Sequence, residues 1–250
     1  MKVSAIVPVL YQEAQLSDTL AGLAKLRDRV DLEMLVIVDV PDPSREAEAR
    51  ARNDPVASRF GAVTLYRVGE RGFGSALRHG FAHATGDVLI PLMADASEDP
   101  HDVIRLTEEL ERGWDVVAGS RYMRGGGIVG NSPKQRLSHL YSVLVRLAGG
   151  PKIHDVSNAF KAYRRSVVES IPTVATSFDL SVELTVKAAR AGFRIGEIPT
   201  VWTNRKLGRS SFAILRELRD YGRWLLFAST GRFPFRRLAP RVSSTAERPR

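Results

Sequence analysis

Short apolar runs rich in Val, Ile and Leu alternate with segments of helical periodicity through the first half of the chain. The runs "KVSAIVPV", "EMLVIVD", "AVTLYR", "DVLIPL" and "DVVAGSRY" have the length and composition of buried strands. After the first run, Leu16, Leu20 and Leu23 recur at helical spacing. Because strands that alternate with helices pair in parallel through crossover connections, we expect an α/β fold with a mostly parallel sheet.

Further helices are predicted at "SREAEARARN", at "FGSALRHGFAHA" and near residues 101–112. The glycine-rich segment "RGGGIVG" that follows "DVVAGSRY" is long and flexible enough to act as a lid. Beyond it, Leu137, Leu140, Leu144 and Leu147 form one face of a helix. "NAFKAYR" predicts a short strand, "LSVELTVKAARAG" a helix that stops at Gly192, and "RIGEIP" a final strand.

The segment from Ser211 to about Thr230, "SFAILRELRDYGRWLLFAST", is amphipathic and is followed by "GRFPFRRL". Aromatic residues mixed with Arg favour an interfacial membrane element, and packing of the helix on the domain explains the pattern equally well. The candidate membrane anchors are Trp224, Leu225, Leu226, Phe227, Phe233 and Phe235. The candidate contacts to anionic headgroups are Arg223, Arg232, Arg236 and Arg237.

Composition narrows the classes of protein that fit. The 250 residues are 44% hydrophobic, which suffices for the core of one domain with additions. The absence of cysteine excludes disulfides, thiolate metal sites and a cysteine nucleophile, and fits a reducing compartment. The N-terminus turns polar too early for a secretory signal, and no window approaches eighteen uninterrupted apolar residues. We therefore expect a cytoplasmic chain without a membrane-spanning helix.

The formal net charge of +9 indicates a polyanionic partner such as nucleic acid, anionic lipid or a phosphorylated substrate. Part of this charge is local, because residues 232–250 carry six Arg against one Glu. The aromatic residues are not interleaved with Lys and Arg on one platform, so a nucleic-acid-binding protein is the least favoured alternative. We expect no nucleic-acid partner.

An acidic stretch, "LMADASEDP", follows the apolar run "DVLIPL" directly. It places Asp95, Glu98 and Asp99 after a strand, and open α/β sheets bind ligands at the carboxyl ends of their strands. In a chain of net charge +9, this block of acids indicates a positively charged group held at the strand end. A solvated turn that opens a helix at Pro100 is the alternative, because acidic residues complement the helix dipole there.

Three other kinds of site have little support. In "GERGFGSALRHG", Leu77 replaces the third small residue of a dinucleotide-binding loop, and the motif follows the third strand instead of the first. Gly72 and Gly74 are therefore expected to permit a tight turn and close helix packing. His79 and His83 lack the glutamate of a zinc-protease helix, and no Gly-x-Ser-x-Gly elbow occurs.

The order of the remaining motifs resembles the GT-A glycosyltransferases of family 2, and within them the dolichyl- and polyprenyl-phosphate sugar synthases. The resemblance runs over roughly residues 1–215 and is carried by "VPVLYQE", "GFGSALRHGFAHATGDVLIPLMAD", "GSRYMRGGG", "DVSNAFKAYRR" and "VELTVKAARAGFRIGEIPTVWTNRKLGRSSF". It implies a GT-A domain over 1–210 with a Rossmann-like sheet flanked by helices. Amphipathic, membrane-interfacial helices over 211–238 and a basic disordered tail over 239–250 would follow.

The resemblance implies roles for individual residues. It implies that base and ribose are held by Pro8, Tyr11, Glu13 and Asp39. The acidic turn would bind Mg²⁺ or Mn²⁺, which bridges the donor diphosphate, through Asp95, Ser97, Glu98 and Asp99. The phosphates of donor and acceptor would be surrounded by Arg121, Lys134, Arg136 and Arg205. Ser138 would donate a hydrogen bond to the acceptor, and Asp95, Arg121 and Arg205 would be the catalytic residues.

Two positions depart from the family pattern. Met93 stands where the family has the first Asp of Asp-x-Asp, and Val40 follows Asp39 where the family has paired acids. A thioether in place of a hard ligand weakens Mg²⁺ or Mn²⁺ binding unless Glu98, Asp99 or a water fills the gap. A catalytically impaired relative is therefore an alternative.

We expect Arg121 and Arg205 to act on phosphates and not on the stability of the fold. Three further residues, Asp155, Asn158 and Glu183, fall in family motifs, but capping or a buried pair explains them equally well.

The expected activity is inverting, metal-assisted transfer of a hexosyl group from a GDP- or UDP-sugar to a polyprenyl phosphate. This acceptor is already anionic and needs no general base, whereas a soluble hydroxylated acceptor, the main alternative, needs a carboxylate base within reach. Because a polyprenyl chain stays in the bilayer, we expect peripheral contact with the cytosolic membrane face.

Overall fold

A computed structural model of the chain describes residues 1–11, 13–130, 133–203 and 214–231, with the backbone alone for 133–134 and 214–218. The strands in those ranges are β1 (Val3–Leu10), β2 (Leu32–Val40), β3 (Val63–Val68), β4 (Val88–Pro91), β5 (Val116–Ser120), β6 (Gly127–Val129), β7 (Lys161–Arg164), β8 (Ile195–Pro199) and β9 (Val201–Thr203). The α-helices are α1 (Leu16–Ala24), α2 (Glu46–Arg59), α3 (Phe73–His83), α4 (Asp102–Glu111), α5 (Pro133–Leu147), α6 (Arg165–Ser170), α7 (Leu180–Arg190) and α8 (Ile214–Thr230).

Seven of these strands form one mostly parallel sheet in the order β3-β2-β1-β4-β7-β5-β8. β7 runs antiparallel to both of its neighbours, and the other pairs are parallel. The strand order reverses at β1, because the chain continues from β1 to β2 on one side and places β4 on the other. The predicted α/β fold with a mostly parallel sheet is confirmed.

Helices cover both faces of the sheet, which explains why its strands are apolar almost throughout. On one face, Leu20 of α1 and Leu106 of α4 pack in one fully buried cluster with Val7 of β1. On the other face, Leu77 of α3 and Leu184 of α7 belong to a second cluster. The two cores leave the carboxyl ends of the strands as the open edge of the sheet.

Glycines in and before α3 allow close packing, as predicted. Gly72 has a φ of +135°, and a Cβ there would lie 2.5 Å from the Thr176 carbonyl oxygen. At Gly80 a Cβ would lie 2.4 Å from Cγ2 of Ile6 in β1. The first amides of α3 are also occupied, because Gly74 N donates to Thr176 O at 3.0 Å. The dinucleotide-binding alternative therefore lacks the free helix N-terminus that it needs.

The structure differs from the sequence-based prediction in four elements. α2 runs beyond Asn53, where the predicted helix ended, and includes Pro55. Residues 127–129 of the predicted flexible lid form β6, which pairs with β9 in a small parallel sheet. β9 and α6 are too short to give a periodic pattern and were not predicted.

The prediction that Trp224 anchors the chain in a membrane is wrong. Its side chain is fully buried, and its indole Nε1 donates to Asp179 Oδ2 at 2.7 Å. Arg223 Nη2 lies 2.5 Å from the same oxygen, so α8 is tied to the start of α7 by two side chains. Of the four adjacent apolar residues on α8, Leu226 is the exposed one. The alternative, a helix packed on the domain, is confirmed for this part of α8.

Among the helices of the described residues, none has the length and apolar character needed to cross a membrane. Several predicted features lie outside the described residues: Arg205, the anchors Phe233 and Phe235, the cations Arg232, Arg236 and Arg237, and the tail 239–250.

Replacing Trp224 with Phe tests the connection between α8 and α7. Phe keeps most of the buried apolar area but removes the N–H that reaches the buried Asp179 carboxylate. We expect the free energy of unfolding, measured by urea denaturation, to fall by about 1–3 kcal/mol. Leu226→Ala, on the exposed side of the same helix, is the control and should change it by less than about 0.5 kcal/mol. Equal losses in both variants would contradict the role of the buried hydrogen bond.

Candidate active site

The carboxyl ends of four strands bring the predicted site residues to one edge of the sheet. Tyr11 follows β1, Asp39 lies near the end of β2, Asp95 follows β4, and Arg121 follows β5. β1 and β4 are neighbours at the point where the strand order reverses, which is where open α/β sheets bind ligands. This edge is therefore the candidate active site.

The end of β1 is held in an unusual backbone conformation. Tyr11 has a φ of 64°, which is rare for a residue other than glycine and costs free energy unless its surroundings impose it. Its carbonyl accepts from Asn53 Nδ2 at 3.1 Å, and the Arg45 guanidinium lies 4.7 Å above its ring. Pro8 is half-buried within β1, and Glu13 is half-buried before α1. These contacts fix the strand end that was predicted to hold the nucleotide.

Asp39 is buried, and both of its carboxylate oxygens have partners within the protein. Arg67 Nη1 lies 2.7 Å from Oδ1, and Gly72 N donates to Oδ2 at 2.9 Å. Burial raises the pKa of Asp39 to about 6, against the opposing effect of Arg67. Sequence reasoning missed Arg67, because only the register of β3 on β2 places it beside Asp39. A nucleotide at this point would meet a carboxylate that is already oriented.

The acidic turn after β4 contains a buried pair of carboxylates. Asp95 and Glu98 are both buried, Ser97 N donates to Asp95 Oδ1 at 3.2 Å, and Met93 N donates to Glu98 Oε2 at 3.1 Å. Burial, together with the charge of Asp95, raises the pKa of Glu98 to about 8. Glu98 therefore retains its proton near neutral pH beside the Asp95 carboxylate, and a cation that bound both acids would favour loss of that proton.

Two neighbouring elements fix the backbone of this turn. Thr19 of α1 accepts from Ala96 N at 3.0 Å, and Ala96 itself has a φ of 52°. On the other side, Thr203 N donates to Ser97 O at 2.9 Å, which joins the end of β9 to the turn. Sequence reasoning missed Thr19, because its partner lies after a different strand.

Asp99 does not join the buried acids, contrary to the predicted set of metal ligands. Its carboxylate accepts from His101 N at 2.9 Å, and 56% of its side chain is exposed. Within the described ranges, no three His, Cys, Asp or Glu side chains are grouped so that they could hold a metal ion. The protein thus offers Asp95 and Glu98, with Ser97 between them. Two carboxylates fit Mg²⁺ or Mn²⁺ only if substrate phosphates and water complete the coordination.

Arg121 is engaged in a buried ion pair, so the prediction that it acts only on phosphates is wrong. Its Nε lies 2.7 Å from Oδ2 of Asp155, and its Nη2 lies 3.0 Å from Oδ1. Nη2 also donates to Ser157 Oγ at 3.0 Å. Asp155 is fully buried, and although burial alone would raise its pKa, Arg121 holds that pKa below the usual range. The pair is bidentate, which is the strong form of this interaction.

The other residues of the family motifs have structural partners too. Asn158 Nδ2 donates to Gly119 O at 2.8 Å, and Glu183 accepts from Ala175 N at 2.7 Å. Both side chains are therefore engaged in buried hydrogen bonds to the backbone. Sequence reasoning missed Lys161, which is fully buried in β7 and whose pKa burial lowers to about 7. An isolated Lys within an apolar strand gives no sequence signal of this kind.

The start of α5 is attached to the residue that follows Arg121. The hydroxyls of Tyr122 and Ser138 are hydrogen-bonded, and the rings of Tyr122 and His139 stack with centroids 4.5 Å apart. Ser138 is thus half-buried against Tyr122, and Arg136 is exposed on the same helix. Lys134 lies in the first turn of α5, and its side chain is outside the described part of the structure.

Truncating Arg121 to Ala should destabilise the fold. The change leaves the Asp155 carboxylate buried without its partner, so we expect the free energy of unfolding in urea to fall by about 3–5 kcal/mol. Arg124→Ala, at an exposed position three residues later, is the matched control and should have little effect. The double variant Arg121→Ala/Asp155→Ala should regain part of the loss, because it leaves no unpaired charge. An unchanged urea midpoint in Arg121→Ala would show that the pair is not structural.

The sequence is similar to a known protein family and to several characterised relatives. Residues 4–171 match the model of Glycosyl transferase family 2. The undecaprenyl-phosphate mannosyltransferase of Micrococcus luteus is 32% identical over 224 residues, which are 85% of this chain and 88% of that protein. The dolichol-phosphate mannosyltransferase of Pyrococcus furiosus is 27% identical over 90% of this chain, and the match spans 64% of its own length. The polyprenol monophosphomannose synthase of Mycolicibacterium smegmatis is 34% identical over 60% of this chain and 59% of its own.

Solved structures share the fold. The glucosyl-3-phosphoglycerate synthase from Mycobacterium tuberculosis in complex with Mg²⁺ and uridine diphosphate has a TM-score of 0.66 and 19% identity, over 92% of this chain and 79% of that one. The same enzyme with Mn²⁺ and UDP-glucose has a TM-score of 0.65 and 18% identity, with the same coverage. The family match, which covers more than half of the chain and includes the ends of β1, β2, β4 and β5, establishes that this protein belongs to glycosyl transferase family 2.

Proposed function

We propose that this chain transfers a hexosyl group, with mannosyl as the first candidate, from a nucleoside-diphosphate sugar to a polyprenyl phosphate, with inversion at the anomeric carbon. The observation that carries the proposal is the buried Asp95–Glu98 pair at the point where the strand order reverses. The choice of acceptor is supported by three relatives named for the transfer or synthesis of mannose on dolichol, undecaprenyl or polyprenol phosphates.

Asp95 and Glu98 would hold the divalent cation, Mg²⁺ or Mn²⁺. Both supply hard oxygen donors, and Glu98 would have to lose the proton that its raised pKa otherwise retains near neutral pH. When bound, the ion would neutralise the charge that develops on the departing nucleoside diphosphate. Thr19 and Ser97 would act as positioning residues, because their contacts set the shape of the turn.

The nucleoside would lie across the ends of β1 and β2. Pro8, Tyr11, Glu13 and Asp39 remain the proposed contacts to base and ribose. Arg67 would orient Asp39 and would not itself touch the donor, since its guanidinium is occupied by Asp39 and Glu70. The base of the donor therefore would meet groups that are already positioned, which lowers the entropic cost of binding.

The acceptor phosphate would attack without a dedicated general base. One of its oxygens forms a bond to the anomeric carbon while the bond from that carbon to the diphosphate oxygen breaks, and the electron pair leaves with the nucleoside diphosphate. Attack from the opposite face inverts the anomeric centre. A phosphate monoester is anionic at neutral pH, so the protein's task is to position two anions and offset their repulsion. Lys134, Arg136 and Arg205 are the proposed cations for this task, and Ser138 is a proposed donor.

Residues 1–210 would form the catalytic unit, working at the cytoplasmic face of the membrane that holds the acceptor. A soluble hydroxylated acceptor would instead require a carboxylate beside the acceptor position. The assay below includes both kinds of acceptor, so transfer to a soluble alcohol alone would replace the proposal.

The first test measures transfer of labelled mannose or glucose from GDP- or UDP-sugars to a short-chain prenyl phosphate with Mg²⁺ or Mn²⁺. We expect metal-dependent formation of the prenyl-phosphate sugar and a loss of at least about 100-fold in Asp95→Asn, because a group that stabilises the transition state is weakened. Asp99→Asn, the same substitution at the exposed acid, should retain transfer. Full activity in Asp95→Asn would place the metal site elsewhere, and a similar loss in Asp99→Asn would restore Asp99 to the ligand set.

The second test restores the family pattern at the acidic turn. Met93→Asp adds a hard carboxylate ligand two residues before Asp95, so we expect the affinity for Mn²⁺, measured by titration calorimetry, to rise by about tenfold or more. Met93→Asn has a similar size without the charge and is the matched control. An unchanged affinity in Met93→Asp would mean that another group already occupies that coordination position.

A further inference from the structure

A row of leucines covers the outer face of α5. The spacing of i, i+3, i+7 and i+10 aligns them on one side of the helix, over a length of about 15 Å. Their exposed fractions are high for large apolar side chains: Leu137 39%, Leu140 55%, Leu144 42% and Leu147 76%. We call these four residues the leucine stripe. A contiguous apolar row of this kind marks an interaction surface more often than scattered exposed residues do.

The opposite face of α5 is packed against the protein, so the exposure of the stripe follows from how the helix is held. Val145 and Ser142 are buried, and the Tyr141 hydroxyl donates to Tyr221 O of α8 at 2.9 Å. The rings of Tyr141 and Tyr221 also meet edge to face, with centroids 4.9 Å apart. α5 is therefore held against α8 and the core on one side, and the stripe stays exposed on the other.

The charged residues of α5 are all cations. They are Lys134, Arg136 and Arg146, and the helix contains no Asp or Glu. Arg136 is exposed and precedes Leu140 by four residues, so it lies on the same face of α5 as the stripe. An apolar row flanked by cations is complementary to an anionic bilayer surface.

The stripe begins at the edge of the candidate active site. Ser138, beside Leu137, is hydrogen-bonded to Tyr122, and His139 stacks on the same ring. Tyr122 directly follows Arg121 at the end of β5. A surface that receives the stripe would therefore lie next to the side of the site where the acceptor phosphate is proposed to bind.

A bilayer fits this face better than a second copy of the chain. Two copies that met through α5 would bring like charges together in a chain of net charge +9. A stable dimer also requires about 800 Å² per partner, whereas the stripe is a single row of four side chains. Interfacial docking needs only a few apolar side chains and nearby cations.

We propose that the leucine stripe of α5, together with Arg136, docks this protein on an anionic bilayer. The proposed function explains only why such docking would be useful: it would bring the active site to a lipid-linked phosphate, and in this respect the inference rests on that function. It moves the expected membrane contact from the aromatic residues of α8 to α5. In this arrangement α8 packs against α5, and its Trp224 side chain is buried against Asp179 at the start of α7.

The test measures sedimentation of the full chain with vesicles, without any substrate. Vesicles of phosphatidylcholine with phosphatidylglycerol are compared with phosphatidylcholine alone, at low and high salt. The variant Leu140→Gln/Leu144→Gln removes the centre of the stripe while keeping good helix formers and the net charge. We expect its affinity for anionic vesicles to fall by about tenfold or more. Leu226→Gln, the same substitution at a 48% exposed position of α8, is the matched control and should bind like the parent.

Three results would overturn the docking surface. The first is vesicle binding by the double variant that equals that of the parent, and the second is an equal loss of vesicle affinity in Leu226→Gln. The third is a parent protein that forms a dimer and a double variant that does not, when neither protein binds vesicles. Transfer to a water-soluble prenyl phosphate, measured without vesicles, separates this proposal from the proposed function. The double variant should retain that transfer. If the parent protein binds vesicles through the stripe but shows no transfer, the proposed activity is wrong and the docking surface still stands.

Discussion

The buried ion pair between Arg121 and Asp155 holds together the two ends of the segment that lies between them. β5 ends just before Arg121, and Asp155 precedes β7, so the pair closes a long excursion of the chain that contains β6 and α5. A buried carboxylate without its partner is strongly destabilising, and the two ends of the excursion are therefore held together whenever the chain is folded. This closure keeps the start of α5 beside the carboxyl end of β5.

The site combines buried charges of both signs. On β4's side, Asp95 and Glu98 crowd two acids together, and burial keeps the pKa of Glu98 raised. On β5's side, Lys161 lies beneath Asp155, and its lowered pKa reflects burial opposed by that carboxylate. Such shifts are common at functional sites, and buried ion-pair networks that serve the fold produce them too. The acid pair is the proposed metal site, whereas Arg121 and Lys161 have partners within the protein.

Much of the sheet could be predicted from sequence, because buried parallel strands are continuous apolar runs and five of them occur with helices between. The site could be predicted only in part. The partner of Asp39 is Arg67, which becomes its neighbour through strand register, and the partner of Arg121 is Asp155, which is distant in sequence. Resemblance to a family identified Asp39 and Arg121 as site residues. It could not show that their polar atoms already form hydrogen bonds with Arg67 and Asp155, because these partners are distant in sequence. The helix predicted to end at Asn53 continues through Pro55 to Arg59, so its sequence pattern did not show its true end.

Amphipathic periodicity shows that a helix has two faces and does not show which one meets the protein. On α8 a polar atom decides which face is buried. The indole N–H of Trp224 donates to the buried Asp179 carboxylate, so the ring is buried as well.

The leucines of α5 have no such atom, and the buried face of that helix is taken by Val145 and by the hydroxyl contacts of Ser142. The exposed stripe is thus the face that remains after the polar contacts have been satisfied.

The strand order arranges the proposed tasks in sequence along the edge. β2 and β1 carry the nucleotide residues, β4 carries the acid pair next to them, and β5 lies two strands further, with α5 attached to it. From β2 to β5 there are four strand spacings, or about 19 Å. Donor base, diphosphate and acceptor would therefore lie in one direction across the sheet. The leucine stripe begins at the acceptor end of that line, which is the end that a lipid-linked phosphate would have to reach.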